Sequence, residues 1–248
     1  MLLTAIAGAS LGGCASPPPP PSLPRIADGR LRVLGPDPGF DPRNPPAGWS
    51  LSASGEGSIG LSDGSGRIAL SLRAPGGSLL IRTIDTPLGS WPELSWSWRL
   101  EDAAFGGGPG DGLRRGLRLI VGFDAGEPEG RILPSLWTRT ETGLPAHRRR
   151  IEFAFGGTGA VRPELAMAEV SASADGGQKR ILRPAAPGMT GRWMAERVDL
   201  RALYRDAFVS DRDLQPRIVF LALGALPARL PESQPPVIGH IVEVQLSP

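Results

Sequence analysis

Reactive side chains are sparse in this sequence. It holds one cysteine, Cys14, two histidines, His147 and His240, and a single lysine, Lys179, among 27 basic residues. A zinc site normally takes at least three protein ligands, and no spacing of the histidines and acids supplies them. Two short patterns match known motifs. Gly60-Leu61-Ser62-Asp63-Gly64 fits the Gly-x-Ser-x-Gly nucleophile elbow. That elbow turns from a strand into a helix, whereas this match runs straight into a strand-like segment. Gly55-Glu56-Gly57-Ser58-Ile59-Gly60 fits a dinucleotide fingerprint, but no helix follows to present amides to a pyrophosphate. His240, in phase with Val242, Val244 and Leu246, reads as a hydrogen-bonded core residue, and Asp211-Arg212-Asp213 reads as a polar turn before a strand. No catalytic residue, metal site or cofactor is expected.

Side chains suited to binding are better represented. Six tryptophans stand against one tyrosine, and an indole face can stack on a sugar ring. Trp96 and Trp98 alternate in phase with Leu94 and Leu100, which makes them core. Trp91 and Trp137, near loop ends, are the candidates for exposed stacking. Arg148-Arg149-Arg150 leads from a polar loop into a strand, and guanidinium forks match anionic phosphate groups. The run is a solvated strand end or a contact to such groups in a cell envelope. A net charge of +2 makes no global case for nucleic acid. For an enzyme, the acids to pair would be Asp111 and Glu152, since glycosidase carboxyl groups sit roughly 5–10 Å apart.

The elements that must position these residues begin with the N-terminus. Residues 2–13 form a short apolar stretch, too short for the roughly twenty residues of a membrane span and the right size for a secretory signal. Leu11-Gly12-Gly13-Cys14 resembles the bacterial lipobox, in which the cysteine receives a diacylglyceryl group. No Lys or Arg precedes the apolar run, where a secretory signal carries positive charge; a start upstream of Met1 would supply it. Five prolines at 17–21 favour extended polyproline II, a spacer between lipid and domain. Acyl chains contribute about 0.8 kcal/mol per buried methylene, so lipidated Cys14 would hold the chain at a membrane. Ala15 and Ser16 follow it rather than Asp, which by analogy with enterobacterial sorting favours the periplasmic face of the outer membrane. Lipidation would also remove the only thiol, leaving no disulfide or thiolate chemistry. The expected organisation is a signal peptide at 1–13, a lipidated cysteine and tether at 14–28, and one domain at 29–248.

Glycine (34) and proline (27) make up about a quarter of the chain. They punctuate short runs of alternating hydrophobicity, the pattern of an all-β sandwich or barrel. Leu94–Leu100 is the clearest strand. Ile68–Leu72, Ser78–Ile84, Leu117–Phe123, Leu133–Thr140, Arg150–Phe155, Met167–Ser173, Arg192–Leu200, Arg217–Leu223 and Ile238–Leu246 are the others. Asp63-Gly64-Ser65-Gly66 reads as a hairpin turn, and Gly106–Gly112 as a loop. Asp199 could cap one short helix through Phe208, with Leu200, Leu203, Tyr204 and Phe208 on one face. These readings predict a β-sandwich of jelly-roll type.

Pro92-Glu93-Leu94-Ser95-Trp96-Ser97-Trp98-Arg99-Leu100, followed by a Gly/Asp-rich loop and Leu113–Phe123, resembles the bacterial envelope family called domain of unknown function 3047. Pro46-Ala47-Gly48-Trp49, Ile151–Gly156 and Trp193 before Asp199-Leu200 are similar to further elements of that family. The resemblance covers about residues 40–246. This sequence departs from it in two places. A single Asp111 stands where the family pairs aspartates, and Gly224-Ala225-Leu226-Pro227-Ala228-Arg229 replaces an acidic run. The resemblance implies architecture, not chemistry. The functional expectation is an envelope lipoprotein, non-catalytic, binding a glycan or another envelope component. The alternatives are a hydrolase or lyase acting on envelope polysaccharide and a structural or assembly subunit, the last marked by an exposed apolar patch.

Overall fold

The computed structural model describes residues 23–26, 28–34, 41, 44–52, 59–64, 67–74, 78–101, 117–124, 143–155, 177–183, 190–225 and 237–248. Cys14, Asp111, Trp137, the turn residues Ser65 and Gly66, the strand candidates at 133–140 and 167–173, and the glycine-rich stretch at 106–112 lie outside them.

Twelve strands fall within the described residues: β1 (Leu31–Leu34), β2 (Trp49–Ser52), β3 (Ile59–Gly64), β4 (Arg67–Ala74), β5 (Leu79–Pro87), β6 (Glu93–Leu100), β7 (Leu117–Asp124), β8 (Arg149–Phe155), β9 (Gln178–Arg183), β10 (Met194–Asp199), β11 (Arg217–Ala225) and β12 (Val237–Ser247). They build two six-stranded sheets. Sheet A runs β10-β6-β12-β4-β3, with β1 added alongside β12, and sheet B runs β2-β5-β11-β7-β8-β9. From β4 to β7 and from β9 to β12, successive strands cross from one sheet to the other. The pairing is antiparallel except for β8 with β9, and the long stretch between those two meets the crossover length a parallel pair requires. The domain is a β-sandwich of jelly-roll type, with one short α-helix among the described residues.

Strict alternation makes the core. In β6 every second residue is buried, Leu94, Trp96, Trp98 and Leu100, because successive side chains of a strand point to opposite faces. They meet Leu117, Leu119, Val121, Phe123, Ile151, Phe153 and Phe155 of sheet B in one cluster. Trp96 lies 4.9 Å from Phe153 and Trp98 4.7 Å from Phe155, centroid to centroid. Each such pair is worth about 0.5–1.5 kcal/mol beyond its buried area. The sheets approach so closely at Gly239 that an added Cβ would stand 2.1 Å from Leu117 Cδ1.

The helix forms where the sequence predicts it. Helix α1 spans Leu200–Ala207, and Asp199 caps it by accepting from the Ala202 amide at 2.8 Å. The Gly-x-Ser-x-Gly match lies wholly within β3, which pairs with β4 and leads into no helix. His240 is buried and hydrogen-bonded as expected, but on the other face of its strand. Pairing between β12 and β6 shifts between Val242 and Gln245, and Glu243 there has φ of 55°. That bulge resets the alternation. Ile241, Val244 and Leu246 face the core, while His240 and Val242 stand opposite Arg99 and Ser97 on the outer face.

Candidate functional site

Because β6 buries its even-numbered residues, Glu93, Ser95, Ser97 and Arg99 line the outer face of sheet A, all half-buried. Residues directly opposite in an antiparallel pair share a face. Arg197 and Ala195 of β10 therefore flank Ser95 and Ser97, and His240, Gln245 and Ser247 of β12 flank Arg99, Ser95 and Glu93. Trp193 precedes β10 in the same phase, and the Arg99 guanidinium lies 5.2 Å from its ring centroid. Arg99 Nη2 donates to Glu101 Oε1 at 3.4 Å. His240 Nε2 stands 2.5 Å from that same oxygen, and since a carboxylate only accepts, the ring nitrogen is the donor. Glu101 keeps its side chain 44% exposed while that of His240 is 2% exposed. At the other end Ser247 Oγ donates to Glu93 Oε2 at 3.2 Å. The Arg197 hydrogen bond holds the Glu93 carboxyl below the usual range. Together these residues form a half-exposed row of hydroxyl, amide and charged groups bounded by an indole.

The outer face of sheet B is built differently. Arg118, Ile120 and Gly122 of β7 face outward opposite Ala154, Glu152 and Arg150 of β8. Glu152 is flanked by two guanidinium groups, Arg150 Nε at 3.1 Å and Arg118 Nε at 3.9 Å. Arg150 also donates to Gln178 Oε1. The side chains of Glu152 and Arg118 are 0% and 2% exposed. Beside them Leu79, Ile81, Ile120, Phe220, Ala222 and Leu144 make a second apolar cluster. Glycine is required at 122 for close approach, because an added Cβ would meet the Phe220 ring at 2.0 Å. His147 packs edge-on to Phe220 at 5.2 Å. Its Nδ1 lies 2.7 Å from Pro145 O; a carbonyl cannot donate, so Nδ1 carries the proton. Burial lowers the His147 pKa below its ordinary value, which favours the neutral ring.

The arginine run does not act as one patch. Arg148 is exposed. Arg149 grips Asp211 with Nε and Nη2, at 2.7 and 2.9 Å, and Tyr204 Oη donates to the same carboxylate at 2.9 Å. Arg149 holds the Asp211 carboxyl down to about 2, while burial pushes the Tyr204 phenol up. Arg150 points to the opposite side of β8, towards Glu152. Asp211-Arg212-Asp213 is thus a turn whose first aspartate is committed to Arg149. Among the described residues no group of three or more His, Cys, Asp or Glu side chains comes together.

Trp91 is half-buried against the core, with the Arg25 guanidinium 5.6 Å over its ring. The arginine run, on sheet B, therefore stands apart from the polar row on sheet A, while Trp91 precedes Glu93 of that row by two residues. Sequence reasoning missed that row. Trp193 carried a usable signal, being two residues from Ala195 and in phase with the outward positions of β10. The link between Glu101 and His240 spans 139 residues and had none.

No family model matches the chain, and no curated protein matches it. Among solved structures, the endoglucanase 3 of Trichoderma harzianum, from family GH12, is similar with a TM-score of 0.44 at 9% identity, covering 90% of this chain and 100% of that one. The xyloglucanase domain of NopAA, a type three effector from Sinorhizobium fredii, is similar with a TM-score of 0.42 at 12% identity, covering 82% and 94%. TmCBM61, solved with β-1,4-galactotriose, gives 0.31 at 8%, covering 80% and 86%. The two-layer architecture itself rests on this chain's own strand pairing.

Proposed function

We propose that this chain is a lipid-anchored envelope protein, tethered through Cys14 at the periplasmic face of the outer membrane, whose β-sandwich binds a glycan or another envelope component without catalysis. The observation that carries the binding reading is the accessible polar row on sheet A. Ser95, Ser97, Arg99, Glu101 and Gln245 offer donors and acceptors matched to sugar hydroxyls, and Trp193 borders them with an aromatic surface. The motif resemblance to domain of unknown function 3047 belongs to the same reading, since its Trp-x-Trp-Arg element is β6, the strand that supplies most of the row.

The test is a glycan array and a peptidoglycan pull-down with the full chain, beside Trp193→Ala and Ser97→Asp. Binding that either variant lowers at least tenfold supports the reading. No retained glycan or peptidoglycan, or retention indifferent to both variants, overturns it. Glu152, a carboxylate buried on a sheet face away from the core, favours a second reading as a hydrolase or lyase. Reducing ends released from envelope polysaccharide by the wild type, and lost in Glu152→Gln, would replace the non-catalytic reading.

A further inference from the structure

The described chain enters the sandwich at one particular end. Leu23 packs against the core, Arg25 covers Trp91, and the Arg32 amide donates to Pro24 O at 2.9 Å. β1 then pairs with the last residues of β12, Leu31 opposite Leu246. Helix α1 stands at that same end, because Asp199 lies opposite Glu93 and the Leu200 amide donates to Pro92 O at 2.7 Å. The far end is marked by Gly191, whose amide donates to Leu100 O at 2.7 Å.

The surface beside the entry point carries Arg201, Arg205 and Arg212, all exposed, with Arg148 next to them. Asp199, Asp206 and Asp213 are the exposed acids of the cap, the helix and the turn that follows, while Asp211 is paired with Arg149. Cations are thus in modest excess. Val209 projects among them at 56% exposure, the one large hydrophobic so exposed among the described residues.

We propose that this helix-bearing end is the membrane-facing surface, with Arg201, Arg205 and Arg212 against anionic lipid headgroups and Val209 reaching into the interface. The inference rests on the anchor reading above and adds an orientation to it. Between Cys14 and Leu23 the backbone can extend at most about 30 Å. A domain of this length has a radius of gyration near 17 Å, hence a diameter of roughly 45 Å. A tether shorter than the domain keeps its own end within about 30 Å of the bilayer, a limit that the far end does not share. Charge complementarity then favours anionic headgroups.

The experiment uses full-length, lipid-processed protein in vesicles of phosphatidylcholine, with and without phosphatidylglycerol. A fluorophore is placed at Val209→Cys or, as the far-end reference, at Arg192→Cys; lipidated Cys14 offers no competing thiol. A headgroup-attached quencher should dim the probe at 209 at least threefold more than that at 192. Phosphatidylglycerol should widen the difference, and the R201Q/R205Q/R212Q variant should narrow it, at about fivefold in the membrane-proximal population per arginine. Equal quenching, or stronger quenching at 192, while the protein still sediments with vesicles overturns the orientation and leaves the anchor standing. Failure to sediment, with Cys14 unmodified by mass spectrometry, overturns the anchor and the orientation together.

Discussion

Each sheet presents arginine, glutamate and histidine on its outer face, and the two sets live in different surroundings. On sheet A the carboxylate is open, Glu101 being 44% exposed, although Arg99 and His240 beside it are only 16% and 2% exposed. On sheet B the carboxylate is closed in, Glu152 and Arg118 being 0% and 2% exposed, with Arg150 and His147 half-buried around them. Water reaches and screens the Glu101 carboxylate, so it is cheap to keep. Glu152 and Arg118 have lost their water, so the buried carboxylate depends on the guanidinium groups around it remaining in place. The same residue types therefore leave an open carboxylate on one sheet and make an interlock on the other.

The comparison would break first at Glu152. Glu152→Ala should cost about 3–5 kcal/mol, because two guanidinium groups would stay buried around a missing carboxylate; urea unfolding measures it. A loss below 1 kcal/mol would mean that water reaches this face. Asp211, at the helix-bearing end, asks whether burial rather than location sets the cost. Its carboxyl pKa is lowered from 3.8 to about 2 by Arg149. A depressed folded pKa gives stability that is present above the unfolded value and is lost as pH falls from about 4 towards 2. Asp211→Asn should remove roughly 2–3 kcal/mol at neutral pH and flatten that acid limb. A smaller effect is expected at Gly122, where Gly122→Ala forces the Phe220 ring aside and costs about 1–3 kcal/mol, read as a lower Tm. Smallest of all, Glu101→Gln on the open face should cost less than about 1 kcal/mol. A loss there comparable to that at Glu152 would erase the distinction between the faces.

Much of the fold was legible locally. Leu94–Leu100 announces β6 because a half-buried strand needs a two-residue period, and Asp199 announces α1 because its side chain can take an orphan helix amide. β1, β2 and β9 were not foreseen. Leu31–Leu34 and Trp49–Ser52 are four residues each, too short for a period to declare itself, and β9 owes its place to parallel pairing with β8. His240 was assigned to the wrong face because an unbroken alternation was carried through Glu243, where the bulge interrupts it. The arginine run was read as one patch although a strand must send Arg149 and Arg150 to opposite sides; the partner that holds Arg149 lies 62 residues away.

By itself the sequence determined the all-β class, the capped helix and the scarcity of thiol, imidazole and amine chemistry, because composition and period act within a few residues. It also supplied the lipobox-like junction at Cys14 on which the proposed anchor depends. Tertiary structure alone decided which carboxylate is buried and which is open, that Trp193 lies against Arg99 of the polar row, and that the chain enters beside α1. Those outcomes depend on strands brought together from distant parts of the chain, and local pattern carries no record of which strands will meet.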